Sequence, residues 1–126
     1  MFSVKLDRSV DTLTIVYGDR VTPDETRLCA DQVRDALAAL EPGFRLVVDL
    51  TNLRSMDLAC SPCLATIMEI CNGAGVAEVL RIIPDPTRDI GLQIMSFFHY
   101  DNDVFIRTCG NAAEAKELLA PETRVS

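Results

Sequence analysis

The sequence predicts a single α/β domain with a mixed, mostly parallel sheet. The chain has 126 residues, the size of one ordinary domain. Short apolar runs alternate with helical patterns, which is typical of parallel strands joined by helical crossovers. The first two runs follow each other without a helix between them, so they predict an antiparallel hairpin at one edge. We expect about five strands and four packed helices in the order ββαβαβαβα, with residues 1–126 forming one domain.

Hydrophobic periodicity and end signals place the individual elements. Strands are expected over 2–7, 12–17, 44–50, 78–83 and 104–108, with helices over 22–40, 58–72, from 85 onward and from 111 onward. The clearest helix start is Thr22, because Pro23 follows it and Glu25 stands three positions later, which forms a capping box. Gly18 is expected to end the second strand. The helix that begins near Asp85 carries Ile90, Ile94 and Phe97 on one face.

Composition and charge exclude several classes of protein. Nineteen acidic residues against 12 basic ones give a net charge of −7, so the chain lacks the basic surface that direct nucleic-acid binding requires. No apolar run approaches the ~18 residues of a membrane span. The N-terminus has no signal-peptide pattern, so we expect a cytoplasmic chain whose five cysteines need not form disulfides.

Metal and cofactor sites are not expected from this composition. The single histidine, His99, excludes any site built from two histidines, and by itself is more typical of a satisfied surface residue. Cys60 and Cys63 form one C-x-x-C pair, but no second pair accompanies them. Gly73 and Gly75 end a helix, so they do not form a phosphate loop.

Function is expected at the segment 49–63, after the third predicted strand. In an open α/β sheet, ligands and partners meet the carboxyl ends of the strands, where loops lead into helix N-termini. This segment is polar, is rich in hydroxyls and carboxylates, and opens a helix. We therefore predict that it forms an exposed loop that carries the functional site.

The cysteines in this segment have two interpretations. A thiol at a helix N-terminus has a lowered pKa, so Cys60 and Cys63 could form a redox-active dithiol. The alternative is structural, because Cys60, Leu64, Ile67 and Cys71 recur at helical spacing on one stripe, and free cysteine is among the most buried residue types. We favour the structural interpretation and keep the redox one as an alternative.

The segment 46–60 resembles the signature of the STAS domain, a family that includes the bacterial anti-sigma factor antagonists. That signature has an apolar strand ending in Asp-Leu-Ser, a turn, and an apolar residue before Asp-Ser-Ser-Gly at a helix start. Asp49-Leu50-Thr51 and Met56-Asp57 match it in kind and spacing. The order of elements agrees along nearly the whole chain. The resemblance implies a STAS-like domain that regulates through protein–protein interaction and has no catalytic residues.

This chain departs from the signature at the helix start. Leu58, Ala59 and Cys60 stand where the family has Ser-Ser-Gly. Ala59 falls on the serine that family kinases phosphorylate, and it has no hydroxyl to modify. Ser61 and Ser55 are nearby hydroxyls that could substitute for that serine, although Ser61 is equally well explained as a helix cap. We interpret Asp57 as a capping residue.

By resemblance, the partner is an anti-sigma factor of the kinase type. The partner-binding residues are then Thr51, Asn52, Arg54, Ser55, Asp57, Leu58, Ala59, Cys60 and Ser61. Two alternatives stay open at this point. One is a thiol-redox protein or sensor that uses Cys60 and Cys63. The other is a STAS subunit of a larger signalling or transport complex.

Overall fold

The structure, a computed structural model, describes residues 1–84, 99–101 and 103–119. These residues form five strands, three α-helices and one 3-10 turn. In chain order the elements are β1 (Phe2–Asp7), β2 (Thr12–Val21), α1 (Pro23–Leu37), β3 (Arg45–Met56), the 3-10 turn (Leu58–Cys60), α2 (Ser61–Gly73), β4 (Glu78–Ile82), β5 (Phe105–Cys109) and α3 (Ala112–Leu119). The helix predicted near Asp85, with Ile90, Ile94 and Phe97, lies outside the described residues.

The sheet is mixed and mostly parallel, as the sequence predicts. Its spatial order is β1-β2-β3-β4-β5, which is also the order along the chain. The β1–β2 hairpin is antiparallel, and every later pair is parallel. Parallel neighbours need a crossover connection. Helix α1 connects β2 to β3, and helix α2 connects β3 to β4. The carboxyl ends of β2 and β3 therefore lie side by side.

Side chains cap the starts of α1 and α3, and the capping box predicted at Thr22 is confirmed. Thr22 is the N-cap of α1: its hydroxyl accepts from the Glu25 amide at 3.3 Å, while the Glu25 carboxylate accepts from the Thr22 amide at 3.1 Å. These two bonds complete the capping box and satisfy donors that a helix start leaves unpaired. At α3 the Glu114 amide donates to the Asn111 side-chain oxygen at 2.8 Å. Such a cap stabilises a helix by about 1 kcal/mol.

The largest correction concerns β2 and β3, which are both longer than predicted. Gly18 does not end β2, which continues to Val21, and the expected loop after Leu50 is strand as far as Met56. The two extensions pair in parallel and finish with Val21 opposite Met56. The polar residues of this part of β3 resemble a loop in the sequence, but their backbone pairs with β2 along one edge, beyond the point where the pairing with β4 ends at Asp49.

The helix ends and the last strands differ from the prediction by smaller steps. Leu58 begins a 3-10 turn, and the α-helix starts only at Ser61. A 3-10 turn at a helix start is common, because it tightens the first hydrogen-bonded ring. β4 ends at Ile82, and β5 runs one position later than predicted, over Phe105–Cys109.

The two faces of the sheet pack against different helices. Consecutive strand residues point to opposite faces, so Leu46 lies in the main core and Val47 in a smaller one. The main core lies between the sheet and the helices α1 and α2. Its fully buried side chains include Leu13, Ile15, Val21, Cys29, Val33, Phe44, Leu46, Cys60, Cys71 and Val79. The smaller core contains Ala115 and Leu118 of α3 against β3, β4 and β5.

Gly75 is expected to be essential where α2 turns into β4. Its φ is +93°, and a Cβ built on it would lie 2.7 Å from the Cβ of Pro42. Because a left-handed non-glycine residue costs about 1–3 kcal/mol, Gly75→Ala should lower the free energy of unfolding by about 2 kcal/mol or more in urea denaturation. Gly73→Ala is the matched control, since nothing lies within 4 Å of its Cβ position. Equal unfolding free energies for both variants would contradict this account.

Candidate functional site

The candidate site begins on the second half of β3, which contains two bulges and carries mostly exposed side chains. Between Val16 and Gly18 the partner residue on β3 advances by three positions, and between Asp19 and Arg20 it advances by two. Each shift places one extra residue in β3. Asp19 at the second shift has φ 52°. A bulge breaks the strict alternation of a strand, and this changes which side chains of β3 reach the surface.

The exposed residues of this part of β3 come in adjacent pairs. Thr51 and Asn52 are both exposed, Leu53 is half-buried, and Arg54 and Ser55 are again both exposed. A regular strand would send every second one of them to the opposite face. Asp49 orders the start of this segment, because its carboxylate accepts from the Thr51 amide at 2.9 Å and from the Thr51 hydroxyl at 2.5 Å.

Asp57 fixes the 3-10 turn that follows β3. Its side chain accepts from the Ala59 amide at 3.0 Å, so the prediction that Asp57 is a cap is confirmed. Its carbonyl accepts from the Cys60 amide at 2.9 Å, and its own amide donates to the Val21 carbonyl at 3.4 Å. The turn is therefore tied to the end of β2 and presents a fixed backbone.

The three residues that differ from the STAS signature, at positions 58–60, are not equally exposed. Leu58 is 88% exposed, and Ala59 is also exposed. Cys60 is fully buried, and its thiol donates to the Val21 carbonyl at 3.6 Å. Of the proposed partner-binding residues, Cys60 can therefore act only as support from beneath the surface.

The interpretation of Ser61 as a helix cap is wrong. Cys60 occupies the N-cap position of α2 without a side-chain cap hydrogen bond, and Ser61 is the first helical residue. The Ser61 amide already donates to the Leu58 carbonyl, and its side chain is half-buried. The Pro62 ring fits the first turn of α2, where no amide donor is needed.

The C-x-x-C pair does not have the environment of a reactive dithiol. Cys60 and Cys63 are both free; Cys60 is buried and Cys63 is half-buried. Burial raises the pKa of the Cys60 thiol, and the nearby Asp57 carboxylate raises it further. A reactive cysteine needs a lowered pKa and access to solvent, and Cys60 has neither.

The predicted stripe of α2 is buried as a unit. Cys60, Leu64, Ile67 and Cys71 all lie in the main core, which confirms the structural interpretation of the two cysteines in it. Cys29 lies nearby on α1, with its Sγ 3.5 Å from the Tyr17 hydroxyl oxygen. Burial raises the pKa of Cys29, and it raises the pKa of Cys71 to about 12.

The remaining candidate groups make ordinary structural contacts. His99 lies with its Nδ1 2.8 Å from a carboxylate oxygen of Glu69, and the Asp101 amide donates to the Asn72 side chain at 2.9 Å. Among residues 1–84, 99–101 and 103–119, no three His, Cys, Asp or Glu side chains are grouped so that they could hold a metal ion. Over the same residues, every helix is too short or too polar to cross a bilayer.

Comparison with known proteins defines the fold class. No family model and no curated protein sequence matches this chain. Solved structures do match: an uncharacterized DUF3478-family protein from Shewanella loihica PV-4, described as having a SpoIIAA-like fold, superposes with a TM-score of 0.71 at 16% identity, covering 94% of each chain. The STAS resemblance is thus confirmed at the level of the fold.

Two further matches are structures of SpoIIAA itself. The anti-sigma factor antagonist SpoIIAA in its unphosphorylated form gives a TM-score of 0.62 at 14% identity, with 94% of each chain covered. The Bacillus cell fate determinant SpoIIAA in its phosphorylated form gives 0.66 at 14% identity, covering 95% of this chain and 100% of that one. The chain has a SpoIIAA-like fold with a mixed five-stranded sheet.

Native-state thiol labelling is expected to separate Cys63 from the buried cysteines. With iodoacetamide at neutral pH, Cys63 should react directly, because it is half-buried at the surface of α2. The four buried cysteines, Cys29, Cys60, Cys71 and Cys109, should react at least about 30-fold more slowly, the factor that 2 kcal/mol of opening free energy gives. Peptide mapping by mass spectrometry measures both rates, with Cys63→Ser as the control. Labelling of Cys60 as fast as Cys63 would restore the redox alternative.

The buried thiols also predict a loss of stability at alkaline pH. Their pKa is higher in the folded chain than the ordinary value of 9.0, so their stabilising contribution is complete below about pH 9 and is lost as the pH rises through the folded value. Cys71, with a folded pKa of about 12, should alone remove up to about 1.4 kcal/mol per pH unit. The free energy of unfolding, measured by urea denaturation between pH 8 and 11, should fall less steeply with pH for Cys71→Ala than for the unaltered chain. The same pH dependence in both chains would contradict a raised pKa of the Cys71 thiol.

Proposed function

We propose that this chain is a non-enzymatic regulatory module that binds a protein partner, in the manner of an anti-sigma factor antagonist. The docking surface consists of Thr51, Asn52, Arg54, Ser55, Asp57, Leu58, Ala59 and Ser61, supported from beneath by Cys60. The observation that carries this proposal is the bulged end of β3, where adjacent pairs of side chains are exposed on a backbone paired with β2. The fold that the chain shares with SpoIIAA supports the same class of function.

The surface is suited to a protein partner because it is ordered before binding. Its backbone is held by the β2–β3 ladder, and its turn is held by the Asp57 cap and the Val21 carbonyl. An interface that needs little ordering loses less entropy on association. By resemblance to the STAS family, the partner is an anti-sigma factor of the kinase type, and the chain acts in the cytoplasm.

The redox alternative is disfavoured by the raised pKa and full burial of Cys60. A STAS subunit of a larger signalling or transport complex would use the same surface for a different protein. Identification of the bound partner therefore separates this alternative from the antagonist proposal.

Phosphorylation is not expected at the docking surface. Ala59 is exposed on the turn but has no hydroxyl, Ser61 is half-buried, and Ser55 lies within a paired strand. Incubation with ATP and a purified kinase-fold anti-sigma protein should add no phosphoryl group by intact mass. Ala59→Ser is the positive control, because it places a hydroxyl at the exposed position of the turn. Modification of Ser55 or Ser61 in the unaltered chain would show that the regulatory site has moved.

A charged residue at position 59 is expected to abolish partner binding. A carboxylate there resembles the phosphate that blocks docking in the family by charge and desolvation, so Ala59→Asp should lose a protein that the unaltered chain recovers from native cytosol. The readout is quantitative mass spectrometry of a pull-down with a C-terminal tag.

The matched control is Ala39→Asp. This is the same change at an exposed residue just after the C-terminus of α1, outside the docking surface. Recovery of a kinase-type anti-sigma protein that Ala59→Asp loses and Ala39→Asp keeps is the expected result. The antagonist proposal fails if the unaltered chain recovers no such protein.

A further inference from the structure

Leu58 is the most exposed large apolar side chain among residues 1–84, 99–101 and 103–119. It is 88% exposed, against 57% for Leu28 and 59% for Phe105. A single exposed leucine is ordinary on a protein surface. Leu58, however, lies in the surface proposed for docking, between the paired end of β3 and the start of α2.

The backbone that carries Leu58 is fixed on both sides. Asp57 before it caps the 3-10 turn and donates to the Val21 carbonyl. The Leu58 carbonyl accepts from the Ser61 amide, and Cys60 anchors the turn in the main core. The leucine side chain therefore projects into solvent from a turn whose backbone is fixed by hydrogen bonds.

Leu58 belongs to a small apolar cluster, which we call the apolar tip and define as Leu58, Ala59 and Pro62. All three are exposed. They lie within five consecutive residues, across the 3-10 turn and the first turn of α2. In the STAS signature this stretch begins with Ser-Ser, so the present chain replaces a polar helix start with an apolar one.

The charge of the chain favours a different protein over a second copy of this chain as the partner of the apolar tip. Two copies meeting through it would bring two chains of net charge −7 together, with an exposed Asp57 beside each tip. Like charges at an interface oppose association. A pocket with a positively charged rim on a different protein is complementary to the net charge of −7 and to Asp57, the acidic residue next to the tip; the basic residue of the docking surface, Arg54, precedes it on β3.

We infer that Leu58 is the anchor of the docking surface and inserts into an apolar pocket with a basic rim on the partner protein. This inference rests on the proposed function and names the chemistry of its partner. Because Ala59 has no hydroxyl, the anchor cannot be blocked by phosphorylation at position 59.

Calorimetric titration against purified kinase-fold anti-sigma proteins encoded in the same genome tests the anchor. Leu58→Ala should weaken binding by about 30-fold, as truncation of a buried interface anchor does. Leu58→Met should stay within about threefold, because it keeps the volume and apolar character. Leu28→Ala, at an exposed leucine of α1, should have no effect beyond about twofold. Since Leu58 is exposed, thermal unfolding should confirm that all variants fold.

The basic rim is tested by Asp57→Asn, which keeps an oxygen for the helix cap but removes the charge. This variant should weaken binding several-fold and reduce its dependence on salt concentration, because the attraction it removes is screened by salt. Sedimentation of the chain alone should show a monomer.

The possible results separate a failure of the Leu58 anchor from a failure of the proposed docking function. Binding by the unaltered chain that Leu58→Ala leaves unchanged overturns the anchor and leaves the docking proposal in place. If the chain alone forms a dimer that disappears in Leu58→Ala, the partner of the tip is a second copy of the chain, and the assignment of a different protein is overturned. If the unaltered chain binds none of the purified proteins, both the proposed function and the anchor are overturned.

Discussion

The candidate site depends on the parallel pairing of β2 and β3 beyond their first bulge. β3 carries two extra residues relative to β2, and the pairing still continues to Val21 opposite Met56. The Val21 carbonyl then accepts from both the Asp57 amide and the Cys60 thiol. One buried residue at the end of β2 thus positions the end of β3, the 3-10 turn and the start of α2. Without that pairing, neither the exposed residues of β3 nor Leu58 would have a fixed place.

The buried cysteines support this surface by packing beneath it and do not act through thiol chemistry. Cys60 replaces the glycine of the STAS signature, and its side chain fills space between the turn and β2. Cys29 and Cys71 extend the same packing into the core between α1 and α2. Small, polarizable side chains suit such narrow interhelical space, and burial keeps their thiols protonated. An abundance of cysteine is here compatible with a module that acts only by binding.

The elements whose signals are local could be predicted from the sequence. The capping box at Thr22 and the period-two pattern of β1 depend on neighbours along the chain, and both are observed. The extension of β3 could not be predicted, because a polar strand is stabilised by a partner strand and looks like a loop on its own. The continuation of β2 past Gly18 was missed for the same reason. The exposure of Leu58 agrees with its place in the segment predicted to carry the site, but the hydrogen bonds that fix the turn to Val21 could not be predicted, because they depend on tertiary structure.

The account requires that the docking surface is already ordered in the free chain. Its most direct test is amide hydrogen exchange of the isolated protein, resolved by residue across β3 and the turn. The account predicts that the amides of Asp57 and Cys60, whose acceptors are the Val21 and Asp57 carbonyls, exchange as slowly as those in the middle of α2. Exchange at the rate of an unstructured peptide would contradict it, because the surface would then be ordered only by its partner.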